Sequence, residues 1–493
     1  MERFTPYYKD MTRYITKSKV LSGLKCPKKL WLQTNNPELA IHSATSELNI
    51  SKGIEIGNLV RRNYPDGILI EHVDRPDLAI AETKTLMQFI DAPIFEAAYL
   101  FEDSFIRADI MAPTEAGWRM IEVKSSGGVK EHFLNDCAIQ TWVAQKTGVK
   151  IQNIVVAHVD TNFVYAGDGN YDGLLVEEDM TDTVSELLPD VPAWLANHRN
   201  ILKNPVPKTR MRSHCKDCDF KEHCESEQTE YPLSILPNGR KVIAELQDAG
   251  FEDVRKIPVG LLTNDRHIKV WQSTCTNLPI ISPILKTEFE KLPYPQFYLD
   301  FETINFAIPR WTGTRPHQQL PFQWSCHIDR QGMYLEHLEY LDTSVSSPMR
   351  AFAESLIEAV EIDGPIIVYG TFESTVLKTL IEFCPDLEIP IDNIIDRLAN
   401  LLPWLQNHYY HPAMKGSWSI KAVLPTVAPH LDYLQLEDVK NGTLAQLAYL
   451  DIINPGTEQG IREHKIANLL KYCELDTKAM VEVVQFFKGS RDS

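Results

Sequence analysis

The chain has 493 residues, 44% hydrophobic and 24% charged, enough for two or three cores of ordinary size. A net charge of −18 excludes attachment to nucleic acid through a global positive field, leaving local basic patches and cation-filled acidic clusters as the means of meeting phosphate. No stretch is apolar enough to cross a bilayer, and the opening MERFTPYYKDMTRY lacks the apolar core of a signal peptide, so a cytoplasmic protein without membrane contact is expected.

Residues 1–230 read as one mixed α/β unit. A helical segment rich in Leu and Lys covers Ser18–Leu32. Apolar runs predict strands at Ala98–Phe101, Ile106–Met111, Met120–Val123 and Ile154–Val159, with a helix over Leu134–Lys146 between the last two. Alternate residues of a strand share a face, so Glu122 and Lys124 of MIEVKSS project together, and Asp109 of FIRADIM reaches the same point from a neighbouring strand. Paired carboxylates suit Mg²⁺ or Mn²⁺, and a lysine beside them orients or helps deprotonate an attacking water. An edge strand with solvated charges is the alternative. The pattern resembles the PD-(D/E)XK nucleases of the RecB-like branch, which implies a restriction-endonuclease-like fold. The resemblance assigns Asp109, Glu122 and Lys124 to the acid, acid and lysine of the core motif, Glu96 of IFEAA to a further metal-binding acid, and Gln140 to the trailing helix. Two departures stand out. The stretch KGIEIGNLVRR lacks the branch's histidine, and Trp142 follows Gln140 in place of a tyrosine.

Nine cysteines, an odd number, do not suggest a disulfide framework in a chain expected in the cytoplasm. Cys137, Cys275, Cys326, Cys384 and Cys473 read as small core residues. The other four differ: Cys215, Cys218 and Cys224 crowd the polar loop HCKDCDFKEHCESE, and Cys26 lies far upstream in LKCPKKLW. Thiolates suit zinc or an iron–sulfur cluster, and the adjacent His214 and His223 keep zinc open. One cysteine before the core and three after it resembles the iron–sulfur nucleases of the RecB-like branch, including the CRISPR adaptation exonucleases and AddB-type subunits. That resemblance implies a [4Fe-4S] cluster, and ligation would staple the two ends of the domain.

Residues 231–290 read as a short helical linker, in which ELQDAGFEDVRKIPVG has the helix–glycine–helix rhythm of a phosphate-gripping hairpin as a second reading.

Residues 291–493 start again with a strand at Phe297–Phe301, followed by strands at Gln323–His327, Met333–Leu338 and Ile366–Tyr369 and helices at Pro348–Val360, Ser374–Phe383 and Glu463–Phe487. Asp300 and Glu302 alternate on one strand, Glu373 follows another, and Tyr472 and Asp476 stand four apart on one helix face. Converging buried carboxylates imply bound cations, and two metals together activate water and stabilise a leaving oxygen in phosphodiester cleavage. The order resembles the DEDDy class of 3′–5′ exonucleases, which implies an RNase H-like fold, with Asp300 and Glu302 as first motif, Glu373 as second, and Tyr472 and Asp476 as third. The second acid of that class is usually Asp, so Asp392 and Asp396 compete with Glu373.

The whole chain resembles an uncharacterised prokaryotic family of predicted RecB-family nucleases, in which PRWTGTRPHQQLPFQWSCH and NHYYHPAMKGSWSIKAVLP are recognisable signatures. Members commonly show Asp-Leu-Leu before the second signature, where this chain has Asn400-Leu401-Leu402. Arg310, Arg315, His317, Gln323 and Lys421 are candidate phosphate contacts, and Trp311 and Phe322 are candidates for base stacking or for the core. Taken together these readings imply a two-site nuclease acting on DNA, with RNA as an alternative, in genome maintenance or defence. A helicase or defence-system protein is the implied kind of partner. An adaptor that binds nucleic acid through inactive sites is the competing expectation.

Overall fold

A computed structural model of the protein describes residues 14–331 and 335–489. Met333, which opens the strand predicted at Met333–Leu338, and most of the opening segment lie outside them. Contacts divide the chain into two units. The first gathers residues 1–210, 217–226 and 306–317; the second gathers 211–216, 227–305 and 318–493. The helices of 231–290 fall in the second unit. Among the described residues no helix is long and apolar enough to cross a membrane.

The first unit is built on a mixed sheet. Its strands are β1 (Ile15–Thr16), β2 (Ile68–Leu69), β3 (Ile94–Phe101), β4 (Ser104–Thr114), β5 (Gly117–Val123), β6 (Ile151–Val159) and β7 (Leu175–Asp179). They run in the order β2-β3-β4-β5-β6-β7, with β1 parallel to β4 at its end. β3, β4 and β5 form an antiparallel meander, and β5 pairs parallel with β6 through a helical crossover. The predicted helix Ser18–Leu32 is two helices, α1 (Lys17–Lys25) and α2 (Pro27–Asn35). Proline at 27 pushes Cys26 into extended backbone, φ −155° and ψ 110°, so Cys26 marks the corner. α3 (Ala44–Arg62) lays Ile56 and Val60 on one face of the sheet with Phe95, Ile110, Ile121 and Val155. The crossover helix α4 (Glu131–Lys146) brings Cys137, Ile139, Val143 and Ala144 to the other core. Trp142 belongs to that core, its ring edge-on to Phe101 at 5.4 Å.

The second unit holds a short antiparallel pair, β8 (Ile280–Ile281) with β14 (Tyr409–Tyr410), and a five-stranded sheet. That sheet has β9 (Gln296–Ile304), β10 (Leu320–Asp329), β11 (Leu335–Leu341), β12 (Ile366–Val368) and β13 (Leu398–Asn400), in the order β11-β10-β9-β12-β13. The first three strands are antiparallel, and β12 and β13 add in parallel beside β9. β9 is central and buried along nearly its whole length, which suits its apolar residues Phe297, Tyr298, Leu299 and Phe301 on both faces. α5 (Phe372–Phe383) follows β12 and α6 (Leu401–His408) follows β13. The last helix, α7 (Gln459–Lys488), packs across β9 and β10 and buries Tyr472, Cys473, Asp476, Thr477 and Met480.

Candidate metal centres

In the second unit Asp300 and Glu302 project from the same face of β9, towards α7. A register shift between Pro321 and Gln323 of β10 lies beside Glu302. One turn of α7 carries Tyr472 and Asp476. One carboxylate oxygen from each of Asp300, Glu302 and Asp476 lies within 4.8 Å of the others. Like charges at that distance repel by about 3–4 kcal/mol per pair at an effective dielectric of 20. Burial and the neighbouring acids push Glu302 up to about 8 and Asp300 well above its ordinary value, and burial raises Asp476. Glu373, in the first turn of α5, faces Asp300 closely enough to add to its burden. It is 2% exposed, its Oε2 has no hydrogen-bond partner, and burial pushes it up to about 7. The competing acids Asp392 and Asp396 are exposed and do not join the cluster.

Lys421 is the cation whose charge eases Glu302 and Asp476. Its Nζ donates to the Tyr472 hydroxyl oxygen and to the Lys440 carbonyl, both at 2.8 Å. Tyr472 in turn donates to Asp476, and the Tyr433 hydroxyl donates to Asp476 Oδ1 at 2.5 Å. The candidate phosphate contact Lys421 thus stands beside the acid cluster, hydrogen-bonded to Tyr472. The Cys473 thiol approaches Asp300 Oδ2 at 3.7 Å. Asn400 caps α6: its Oδ1 accepts from Leu402 N–H and Gly370 N–H, both at 3.0 Å. An amide oxygen serves in this capping role as a carboxylate would.

In the first unit Asp109 of β4 and Glu122 of β5 meet Lys124, Asp136 and Gln140. The Lys124 ammonium donates to Glu122 at 2.5 Å and to Asp136 at 2.8 Å, and the Gln140 amide donates to the same two at 2.6 and 3.1 Å. Lys17, at the first turn of α1, stands amid the carboxylates: its Nζ lies 3.2 Å from Glu122, 3.7 Å from Asp136 and 3.9 Å from Asp109. Burial works against Glu122's charge, but the two lysines and Gln140 outweigh it and hold the carboxyl well below its ordinary value. Asp109 accepts from Val123 N–H at 2.8 Å, yet burial and the neighbouring Glu122 push it up to about 7. A lysine therefore balances the charge where a divalent ion is expected. Glu96 lines the same cavity of about 520 Å³, but Arg61 holds its carboxylate at 3.1 Å. Its backbone is left-handed, φ 58°, between the paired residues Phe95 and Ala97.

The remaining candidates scatter. Arg310 pairs with Glu55 at 2.9 Å and lies over the Phe306 ring; Arg315 is exposed. Trp311 is 7% exposed and packs edge-on to Phe306, so it is a core residue and not a stacking platform. Phe322 is fully buried and stacks on Tyr449 at 3.9 Å, and Gln323 donates to the Leu469 carbonyl from within the core. Burial raises the Cys224 thiol, with the nearby Cys218 and Cys26 adding to the rise and Lys28 opposing it. Cys215 lies in the 211–216 segment grouped with the second unit, and its Sγ accepts from Arg212 N–H at 3.4 Å. None of the nine cysteines forms a disulfide.

Sequence reasoning missed Asp136, Lys17, Tyr433 and the placement of Lys421. Asp136 stands four residues before Gln140 on one helix face, a spacing that was readable. Lys17 carried no local signal, because its partner Glu122 is 105 residues away.

Residues 297–419 match the family model described as "Domain of unknown function (DUF2779)". The chain is 24% identical over 357 residues to the uncharacterized protein UU173 of Ureaplasma parvum, covering 64% of this chain and 49% of the relative. It is 25% identical over 224 residues to the uncharacterized protein MG366 of Mycoplasma genitalium, covering 41% of this chain and 33% of that protein. The chain thus spans half or less of the length of these curated relatives. A solved structure titled "Crystal structure of SSO0001" aligns with 44% of this chain and 88% of its own, at 14% identity and a TM-score of 0.22.

Proposed function

We propose that the protein is a metal-dependent nuclease whose second unit cleaves phosphodiester bonds at the Asp300–Glu302–Glu373–Asp476 cluster. The observation that carries this reading is the buried, mutually repelling triad with the unpartnered Glu373 oxygen beside it. Buried carboxylates without compensation are strongly unfavourable, and Mg²⁺ or Mn²⁺ is the compensation their oxygens suit. A bound ion of this kind supplies Lewis-acid activation of water and of the phosphoryl oxygen. Asp300, Glu302 and Asp476 would hold it, with Glu373 near Asp300 as a further acid. Tyr472, buried and held by Lys421, orients Asp476. The acids on β9, α5 and α7 are read as the three motifs of a DEDDy, RNase H-like exonuclease.

The first unit supports a second, RecB-like PD-(D/E)XK site at Asp109, Glu122 and Lys124, with Gln140 and Asp136 as orienting groups. Lys17 must withdraw for a metal to enter there. Cys26, Cys215, Cys218 and Cys224 are proposed as ligands of a [4Fe-4S] cluster, with zinc as the alternative for thiolates of this number. DNA is the proposed substrate, RNA the alternative, and a helicase or defence-system protein the proposed partner.

The test is cleavage of end-labelled single- and double-stranded DNA and RNA with Mn²⁺ or Mg²⁺ by anaerobically purified protein. Lys124→Ala, Asp300→Ala and the double variant run beside the wild type. Loss of a distinct product set in each single variant supports two live sites. Equal inertness of wild type and double variant on every substrate, with binding retained, moves the adaptor reading ahead.

A further inference from the structure

The helix α3, 19 residues long, carries two glycines one turn apart in its interior, Gly53 and Gly57. Glycine there weakens a helix relative to any ordinary residue but proline. Neither position needs it: both have helical backbone, and a Cβ at either would meet nothing within 4 Å. Conformation and packing within the chain therefore do not account for these glycines, and the space beside them does.

That space is the cavity of about 520 Å³ at the carboxylate site of the first unit, within the range of about 300–1,000 Å³ that holds one small ligand. One wall is a single face of α3. Ile50, Gly53, Ile54, Gly57, Asn58 and Arg61 line it, at the spacings of three and four residues that share a helix face. Ile56 and Val60 of the same helix turn to the sheet core instead. Ile50 is 62% and Ile54 60% exposed. Isoleucines beside backbone bared by glycine make an apolar shelf on which a flat ring can lie. The lining opposes three cations, Lys17, Arg61 and Lys124, to three acids, Glu96, Asp109 and Glu122. Asp109, pushed up to about 7, is only partly charged at neutral pH. In a chain of net charge −18 this cavity thus carries no excess of negative charge, so a strand bearing phosphate can enter. A ligand that fits both the shelf and the charged walls joins a flat apolar face to a phosphate. A nucleotide does so once its base has left its partner and its stack, and isoleucine is among the side chains that wedge against unstacked bases.

We propose that Ile50, Gly53, Ile54 and Gly57 form a base-binding shelf of the first unit, which takes one unpaired, unstacked base of the strand whose phosphate lies at Asp109, Glu122 and Lys124. The proposal rests on the nuclease reading of that site for the placement of the phosphate.

The probe is a short oligothymidylate carrying one photoreactive thiothymine. It is bound to full-length protein in chelator, irradiated, and the attached peptides are mapped. Attachment is expected within Ile50–Asn58. In Gly57→Leu the added side chain fills the cavity, and attachment there should require about tenfold more oligonucleotide. Leucine is the better helix former and its Cβ meets no neighbour, so this variant should melt no lower than the wild type, which separates lost binding from lost fold. Ile50→Ser/Ile54→Ser, altered at exposed positions, should weaken attachment to a similar extent. A competitor strand of abasic residues, or a blunt duplex, should displace the probe about tenfold less well than plain oligothymidylate. Attachment only elsewhere, undiminished attachment in both variants, or equal displacement by the abasic strand or the duplex overturns the shelf. A dimer that dissolves in Ile50→Ser/Ile54→Ser on sedimentation, with no base attached to α3, assigns the wall to a second copy and also overturns it. Cleavage is not needed for the readout. Attachment to α3 in a protein that cleaves nothing keeps the shelf and removes the nuclease reading, whereas cleavage abolished by Lys124→Ala without attachment to α3 does the reverse.

Discussion

Stripping divalent cation from the second unit should make its stability fall steeply with pH. Glu302 is 7% exposed, and its carboxyl is pushed from 4.5 to about 8 by burial and Asp476. The folded, metal-free protein therefore holds a proton that the unfolded chain has shed. Stability is fully present below about pH 4.5, is lost as pH rises to about 8, and is level above that. At about 1.4 kcal/mol for each pH unit, the whole span amounts to about 5 kcal/mol from this group. For a domain of this size each kcal/mol moves Tm by about 2–4 °C, so the metal-free melt should fall by on the order of 10 °C between pH 5 and pH 8. Saturating Mn²⁺ at pH 8 should restore most of it. Glu302→Gln removes the titrating charge: without metal it should melt above the wild type at pH 8, and its response to Mn²⁺ should be largely gone. Scanning calorimetry of chelator-treated protein at both pH values reads all of this. Equal melts of metal-free wild type at pH 5 and pH 8, or an undiminished Mn²⁺ response in Glu302→Gln, would refute the reasoning.

Asn400→Ala should cost about 1–2 kcal/mol in urea unfolding, because Leu402 N–H and Gly370 N–H lose their acceptor, while Asn400→Asp keeps it and should stay within about 1 kcal/mol. Lys17→Met leaves Glu122, Asp109 and Asp136 facing Lys124 alone. In an Asp476→Asn background it should lower metal-free stability by about 3 kcal/mol at neutral pH and raise Mn²⁺ affinity at the first unit; unchanged calorimetric titrations would show that Lys17 does not occupy the cation's place. Elemental analysis of anaerobically purified protein should find iron with equimolar acid-labile sulfide, lost in Cys26→Ser and in Cys224→Ser. Zinc without sulfide selects the zinc alternative, and neither metal removes the cluster from the account.

The elements nearest the two sites were legible because each has a strong local pattern. The alternation in FYLDFET and MIEVK and the four-residue spacing of Tyr472 and Asp476 are properties of a single strand or helix, and β5, β9 and α7 extend the predicted segments by only a few residues at either end. Proline chemistry overrode periodicity at one point: Ser18–Leu32 has a helical rhythm, but Pro27 forces Cys26 out of the helix. What the tertiary structure alone decided depends on residues distant in sequence. Lys17 reaches Glu122 across 105 positions, and Lys421 reaches Tyr472 across 51. Glu373 is separated from Asp392 and Asp396 by burial, which composition cannot reveal. The signature around Trp311 reads in sequence as part of the C-terminal half, yet it packs in the first unit, because a loop between two strands is free to bury its apolar residues wherever a partner core exists. Local pattern fixes which side chains share a face; the close approach of charges, which sets what those side chains do, is a property of the packed chain.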